Sequence, residues 1–181
     1  MRRTKDLSRK DVETMRKIIE QNSGYCIKSK ALLIQAFTRC SYSSENGGED
    51  NEVLEFIGDQ IMGYYIAKIA AERCGVINRD NEYDFTVDEG KFTALKQELV
   101  NNEALAKMVD EWGIIEYLIV GRGDFVNEID KRTKVRGDLF EAILGAIAVD
   151  SKWDPKVLEQ AVTKMCSLED EMDDLAKNCK R

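Results

Sequence analysis

Five carboxylates in this chain of 181 residues sit in unusually apolar surroundings. Glu52, Glu55 and Asp59 lie in NEVLEFIGDQIM (51–62), and Asp138 and Glu141 lie in GDLFEAILGAIAVD (137–150). At about 100° per residue, positions 52, 55 and 59 of a helix share an arc of roughly 60°. Positions 55 and 59, like 138 and 141, are then helical neighbours about 5–6 Å apart at their Cβ atoms. Like charges crowded onto apolar helices repel one another and are poorly solvated. E-x-x-x-D on one helix echoes D-x-x-E on the other, and antiparallel packing of the two would bring four carboxylates together. A hard, oxygen-binding divalent cation resolves the cost of such a cluster. Mg2+ suits it better than Zn2+, because no nitrogen or sulfur ligand stands near either segment. A single pair of this kind is ordinary solvated helix surface; two pairs on the two most hydrophobic helices carry the reading.

The absence of histidine narrows the chemistry further. It excludes a Ser-His-Asp triad, a Cys-His nucleophile, an HExxH zinc site and a Glu-x-x-His di-iron bundle. Cys26, Cys40, Cys74, Cys166 and Cys179 are odd in number, scattered and free of CxxC spacing. They read as thiols of a reducing cytoplasm, not as a metal knuckle or a disulfide framework. No apolar run reaches the roughly 18 residues of a membrane span, and Met1-Arg2-Arg3 leads into polar sequence, so neither membrane insertion nor secretion is expected. The net charge of -7 is unevenly spread: residues 1–40 carry a local +6 and residues 41–90 a local -9. Basic flanks around an acidic middle suit a protein that gathers cations beside a polyanion.

The elements that must position these groups are helices, giving an all-α fold. One proline in 181 residues and long Glu/Lys/Leu/Ala stretches argue against a sandwich or barrel. Ser8 and Asp11 cap a predicted helix over about 9–21, and a second fits Lys28–Phe37. Ser41–Asp50 reads as a loop, followed by a long helix from about Asn51 to Arg73 that ends at Cys74-Gly75. Residues 76–85 read as irregular. Thr86 and Glu89 form a capping box for a helix carrying Phe92, Leu95, Leu99 and Val100, broken at Asn101-Asn102 before Glu103–Trp112. Gly121-Arg122-Gly123 reads as a loop. Lys134–Asp150, apolar almost all round, reads as a central helix. Asp154-Pro155 opens a helix to about Cys166, and an acidic helix is predicted over Leu168–Lys180. With no repeat or linker, residues 1–181 read as one domain.

At these residues the chain resembles the ribonuclease III family. NEVLEFIGDQIM is similar to the family pattern N-E-x-L-E-F-[L/I]-G-D, and GDLFEAILGAIAVD to its second metal segment, [A/G]-D-x-x-E-A-[L/I]-x-G-A. Between them, Glu89–Asp124 resembles E-G-x-L-T-x-L-[K/R]…L-V-N-N-x-x-L-A…Y-L-x-x-G-x-G; upstream, AFTRCSY (Ala36–Tyr42) resembles A-[L/F]-T-H-[R/K]-S-Y. The likeness covers roughly residues 10–165 in order and spacing, leaving 166–181 as an acidic helix or tail.

The resemblance implies a helical, homodimeric endonuclease domain acting on double-stranded RNA with Mg2+, for which Mn2+ could substitute. It assigns catalytic and metal-ligating roles to Glu55, Asp59, Asp138 and Glu141, a supporting metal role to Glu52, and the dimer interface to Phe56. Two sites across a two-fold axis imply 5′-phosphates and short 3′ overhangs. Lys131, Arg132, Lys134 and Arg136, directly before Asp138, and Arg122 in the glycine loop are candidates for RNA backbone contact. The chain also departs from the pattern. Arg39 and Cys40 replace a common His and Arg/Lys, Asp50 replaces a common His, residues 76–85 replace a segment that usually contains proline, and nothing after Glu169 resembles a double-stranded-RNA-binding domain. Two alternatives stand beside this reading. One is an all-α nucleoside-triphosphate pyrophosphohydrolase, which also lines metals with helical acidic pairs. The other is a non-catalytic, dimeric RNA-binding relative.

Overall fold

The computed structural model describes residues 1–2, 7–80, 82–85 and 87–168. Helices dominate: α1 (Arg9–Ser23), α2 (Lys30–Ala36), α3 (Cys40–Asn46), α4 (Glu52–Cys74), α5 (Glu89–Val100), α6 (Asn102–Trp112), α7 (Arg122–Val126), α8 (Thr133–Asp150) and α9 (Pro155–Met165). A two-stranded antiparallel hairpin, β1 (Gly75–Ile77) and β2 (Tyr83–Phe85), pairs Gly75 with Phe85 and Ile77 with Tyr83. The all-α reading holds, with this hairpin as its one addition among the described residues.

Helix α8 is the axis of the molecule. Leu139, Phe140, Ala142, Ile143, Leu144, Ala146, Ile147 and Ala148 are all fully buried on it, and α2, α4, α6 and α9 pack around it. Trp112 of α6 stacks on Phe140 with ring centroids 5.3 Å apart. Asp150, at the C-terminus of α8, ties down the start of α2. It accepts hydrogen bonds from the amides of Lys28 and Ser29, each at 2.8 Å, and from the Tyr25 hydroxyl at 2.9 Å. Burial alone would push this carboxyl up, but the two amides and the hydroxyl together hold it below its ordinary value.

Several boundaries follow the predicted chemistry. Ser8 and Asp11 form a reciprocal capping box on α1, Asn101 caps α6, and Asp154 caps α9 with Pro155 in its first turn. Four expectations are corrected. Residues 41–50 contain α3, and Arg122-Gly123 belong to α7, because these two short helices hold each other. Ser41 Oγ donates to Asp124, the Gly121 amide donates to Ser41, and the Glu45 carboxylate receives the Arg122 amide at 2.7 Å, capping α7. Tertiary hydrogen bonds here override weak local propensity. Residues 76–85, read as irregular, form the hairpin, since Asn78 Oδ1 accepts from the amides of Asp80 and Glu82 and closes its turn. The cap of α5 is Asp88, which accepts from the Lys91 amide, not Thr86. The helix expected over Leu168–Lys180 lies outside the described residues beyond Leu168. Cys26, Cys40, Cys74 and Cys166 are all free thiols.

Candidate metal centre

The carboxylates meet where α4 crosses α8, and two glycines let the helices touch. A Cβ placed on Gly58 would lie 1.9 Å from the Glu141 carbonyl oxygen, and one on Gly145 would lie 2.0 Å from the Leu54 carbonyl oxygen. The backbones therefore pack directly against each other. Residue 54 opposes 145 and 58 opposes 141, so the helices run antiparallel, as the mirrored acidic pairs anticipated.

At this crossing Glu55, Asp138 and Glu141 each offer a carboxylate oxygen within 4.8 Å of the others. Asp138 is only 5% exposed, and both its oxygens are engaged. Oδ2 accepts from Arg39 Nη1 at 3.0 Å and Oδ1 from Lys134 Nζ at 2.8 Å. The Lys134 ammonium also stands 3.8 Å from Glu55 Oε1. Among the described residues no cation stands this close to Glu141, and its carboxyl is pushed up to about 7, first by burial and then by the charges of Asp59, Glu55 and Asp138. Burial, followed by the Asp138 charge, raises Glu55 as well.

Asp59 lies outside the group of three. It is exposed and accepts from Gln60 Nε2 at 2.8 Å, yet its charge is the strongest of the neighbouring charges acting on Glu141. It therefore borders the cluster from the solvent side. Glu52 is exposed on the rim.

A cleft of about 450 Å³ opens on the cluster, lined by Glu52, Glu55 and Asp138 together with Arg39, Arg132 and Lys134. Of the five basic residues singled out, Arg132 and Lys134 reach this cleft. Lys131 pairs with Glu128 at 2.6 Å, Arg136 turns toward Asp110 and the Asp130 carbonyl, and Arg122 begins α7. Cys40 lines the cleft too, so sulfur is nearer than the sequence suggested. Burial, then its hydrogen bond to Glu52, pushes its thiol up, which keeps it protonated and a poor ligand at neutral pH.

Arg39 is the residue whose role the sequence did not disclose. It bridges Asp138 and, at 3.8 Å, Asp124, and its side chain is 18% exposed. Only its departure from the family pattern marked it. Gly58 and Gly145 were legible in principle, as glycines without a turn to make inside long apolar helices.

The two central helices thus present converging carboxylates to an open, cation-bordered cleft. The nuclease domain of ribonuclease III from Campylobacter jejuni superposes with a TM-score of 0.65 at 23% identity, covering 82% of this chain and 94% of that one. The Ribonuclease-III-like family model matches residues 29–173, and the chain belongs to that family. It is 43% identical over 162 residues to Ribonuclease 3 of Roseburia hominis (82% of this chain, 45% of that protein). It is 40% identical over 152 residues to Ribonuclease 3 of Treponema succinifaciens (83% and 41%). The chain thus spans less than half the length of these relatives. Among the described residues, no helix is long and apolar enough to cross a membrane.

Proposed function

We propose that the chain is a Mg2+-dependent endoribonuclease that cuts double-stranded RNA as a homodimer. The observation that carries this reading is the convergence of Glu55, Asp138 and Glu141 at the α4–α8 crossing of a Ribonuclease-III-like chain. The donor set fits a hard dication: it is all oxygen, and its three carboxylates outnumber the two cations, Arg39 and Lys134, that contact them. Glu55, Asp138 and Glu141 would hold the ion, with Asp59 and Glu52 adding charge from the rim. A bound dication would supply an activated water and stabilise the departing 3′-oxygen, leaving a 5′-phosphate.

The chain's own residues do the rest. Arg39 fixes one oxygen of Asp138. Arg132 and Lys134 border the cleft with positive charge that would face an RNA backbone beside the carboxylates. With no histidine present, the attacking water would be activated by the metal itself, a carboxylate or a phosphate oxygen.

The dimer reading rests on an exposed apolar face of α4. Phe56 is 67% exposed, and Val53, Tyr64 and Trp153 are also exposed. Phe56 and Trp153 border a shallow apolar groove of about 360 Å³. A second copy is the occupant that the family resemblance implies for this face. The test of function is incubation with long duplex RNA, with and without Mg2+. Mg2+-dependent fragments with 5′-phosphates and short 3′ overhangs are expected. Intact RNA beside pyrophosphate release from dNTPs would support the pyrophosphohydrolase alternative instead.

A further inference from the structure

We propose that Lys134 is an internal competitor for the metal. Its ammonium holds Asp138 and Glu55 in the metal-free protein and would swing into the cleft, toward the RNA backbone, once those carboxylates hold a divalent ion. The proposal rests on the metal site described above and concerns how that site is loaded.

The geometry distinguishes the two cations at Asp138. Arg39 serves Oδ2 at 3.0 Å, is 18% exposed, and is also tied to Asp124. It is a fixed part of the wall. Lys134 serves Oδ1 at 2.8 Å and lies 3.8 Å from Glu55 Oε1, yet its side chain is 69% exposed. It sits in the first turn of α8 on a flexible four-carbon stem and engages the carboxylates through its terminal ammonium. Lys134 therefore engages two of the carboxylates that would hold the metal. An ammonium and a divalent ion at one pair of carboxylates repel each other, so occupancy by one opposes the other.

A lysine ammonium released to solvent has an ordinary pKa of about 10.4 and stays charged at neutral pH. Arg132 lines the same cleft, and a released Lys134 beside it would create a two-cation border facing the phosphates. Metal loading and the supply of an RNA contact thus become one event, and the metal-free protein keeps that contact withheld.

The test is Mg2+ titration by calorimetry, at fixed ionic strength, of the wild-type chain, Lys134→Met and Lys134→Gln. Both variants remove the charge from an exposed position, and Met keeps most of the stem. Each should bind Mg2+ roughly 5-fold more tightly than wild type, equivalent to about 1 kcal/mol at 1.36 kcal/mol per tenfold. A lysine that merely organised the ligands would weaken Mg2+ binding when removed, and an idle one would leave it unchanged; either result overturns the exchange while leaving the metal site intact. Failure of wild type and variants alike to bind Mg2+ overturns the metal site and the exchange together. At saturating Mg2+, Lys134→Met should raise KM for duplex RNA several-fold with a smaller change in kcat, and an unchanged KM overturns the RNA contact.

Discussion

Substituting Gly58 with alanine tests how the site is built. The new Cβ would lie 1.9 Å from the Glu141 carbonyl oxygen, against the 3.0 Å below which real Cβ contacts essentially never fall. Helices α4 and α8 must then part by about 1 Å, and a gap of that size forfeits a quarter to a half of each dispersion contact along the seam. Overpacking of this kind costs about 3 kcal/mol, and the better helix propensity of alanine returns up to ~1 kcal/mol. The net loss is about 2 kcal/mol, or about 4–8 °C in Tm for a chain of this size. Gly63, in the same helix, supplies the control. A Cβ there meets only the flexible end of Lys96, at 3.3 Å, so Gly63→Ala should raise stability by about 0.5–1 kcal/mol. Thermal melts of the two variants should move in opposite directions. Separating the helices also draws Glu55 away from Glu141, so Gly58→Ala should weaken Mg2+ binding. A Gly58→Ala protein as stable as wild type would refute direct backbone packing as the device that gathers the carboxylates.

Further perturbations have defined outcomes. Glu141 titrates at about 7 in the fold against an ordinary 4.5, so folding favours its protonated form. Its contribution is fully present below pH 4.5 and is lost as pH rises through 7. After allowance for solvent screening at a half-buried group, the loss is on the order of 1–2 kcal/mol, visible in melts without metal and relieved by Mg2+. Asp150→Ala removes the acceptor of three hydrogen bonds from Tyr25, Lys28 and Ser29. It should cost about 2–3 kcal/mol in denaturant unfolding without altering Mg2+ affinity. Phe56→Asp places a charge on the exposed apolar face of α4. Sedimentation should show a species near 20.6 kDa where wild type sediments at twice that mass, and a dimeric variant would remove Phe56 from the interface.

Much of this was legible because helical chemistry is local. The apolar periodicity of residues 134–150 marks α8 as central, and the caps at Ser8, Asn101 and Asp154 operate within three residues of sequence. The acidic pairs announced themselves by contrast with their apolar neighbours. Long-range contacts were hidden. Helices α3 and α7 exist because Ser41 and Glu45 reach residues about 80 positions away, and no local pattern reports that. Arg39 reads as an ordinary surface cation until the fold brings Asp138, 99 residues further on, to within 3.0 Å. In the sequence the basic run 131–136 forms one group of candidate RNA contacts. Helical geometry divides it, with Arg132 and Lys134 on the cleft and Arg136 turned toward Asp110.

The most direct measurement of the central claim is duplex-RNA cleavage by Glu141→Gln, paired with thermal melts without and with Mg2+. Glutamine nearly preserves the shape of glutamate while removing the charge a dication needs. It also relieves repulsion from Asp59, Glu55 and Asp138. Cleavage should be lost while the metal-free melting temperature is unchanged or higher and the Mg2+-induced rise disappears. Cleavage at the wild-type rate would contradict the assignment of this cluster as the catalytic metal site, and destabilisation by several degrees without metal would make Glu141 a structural carboxylate instead.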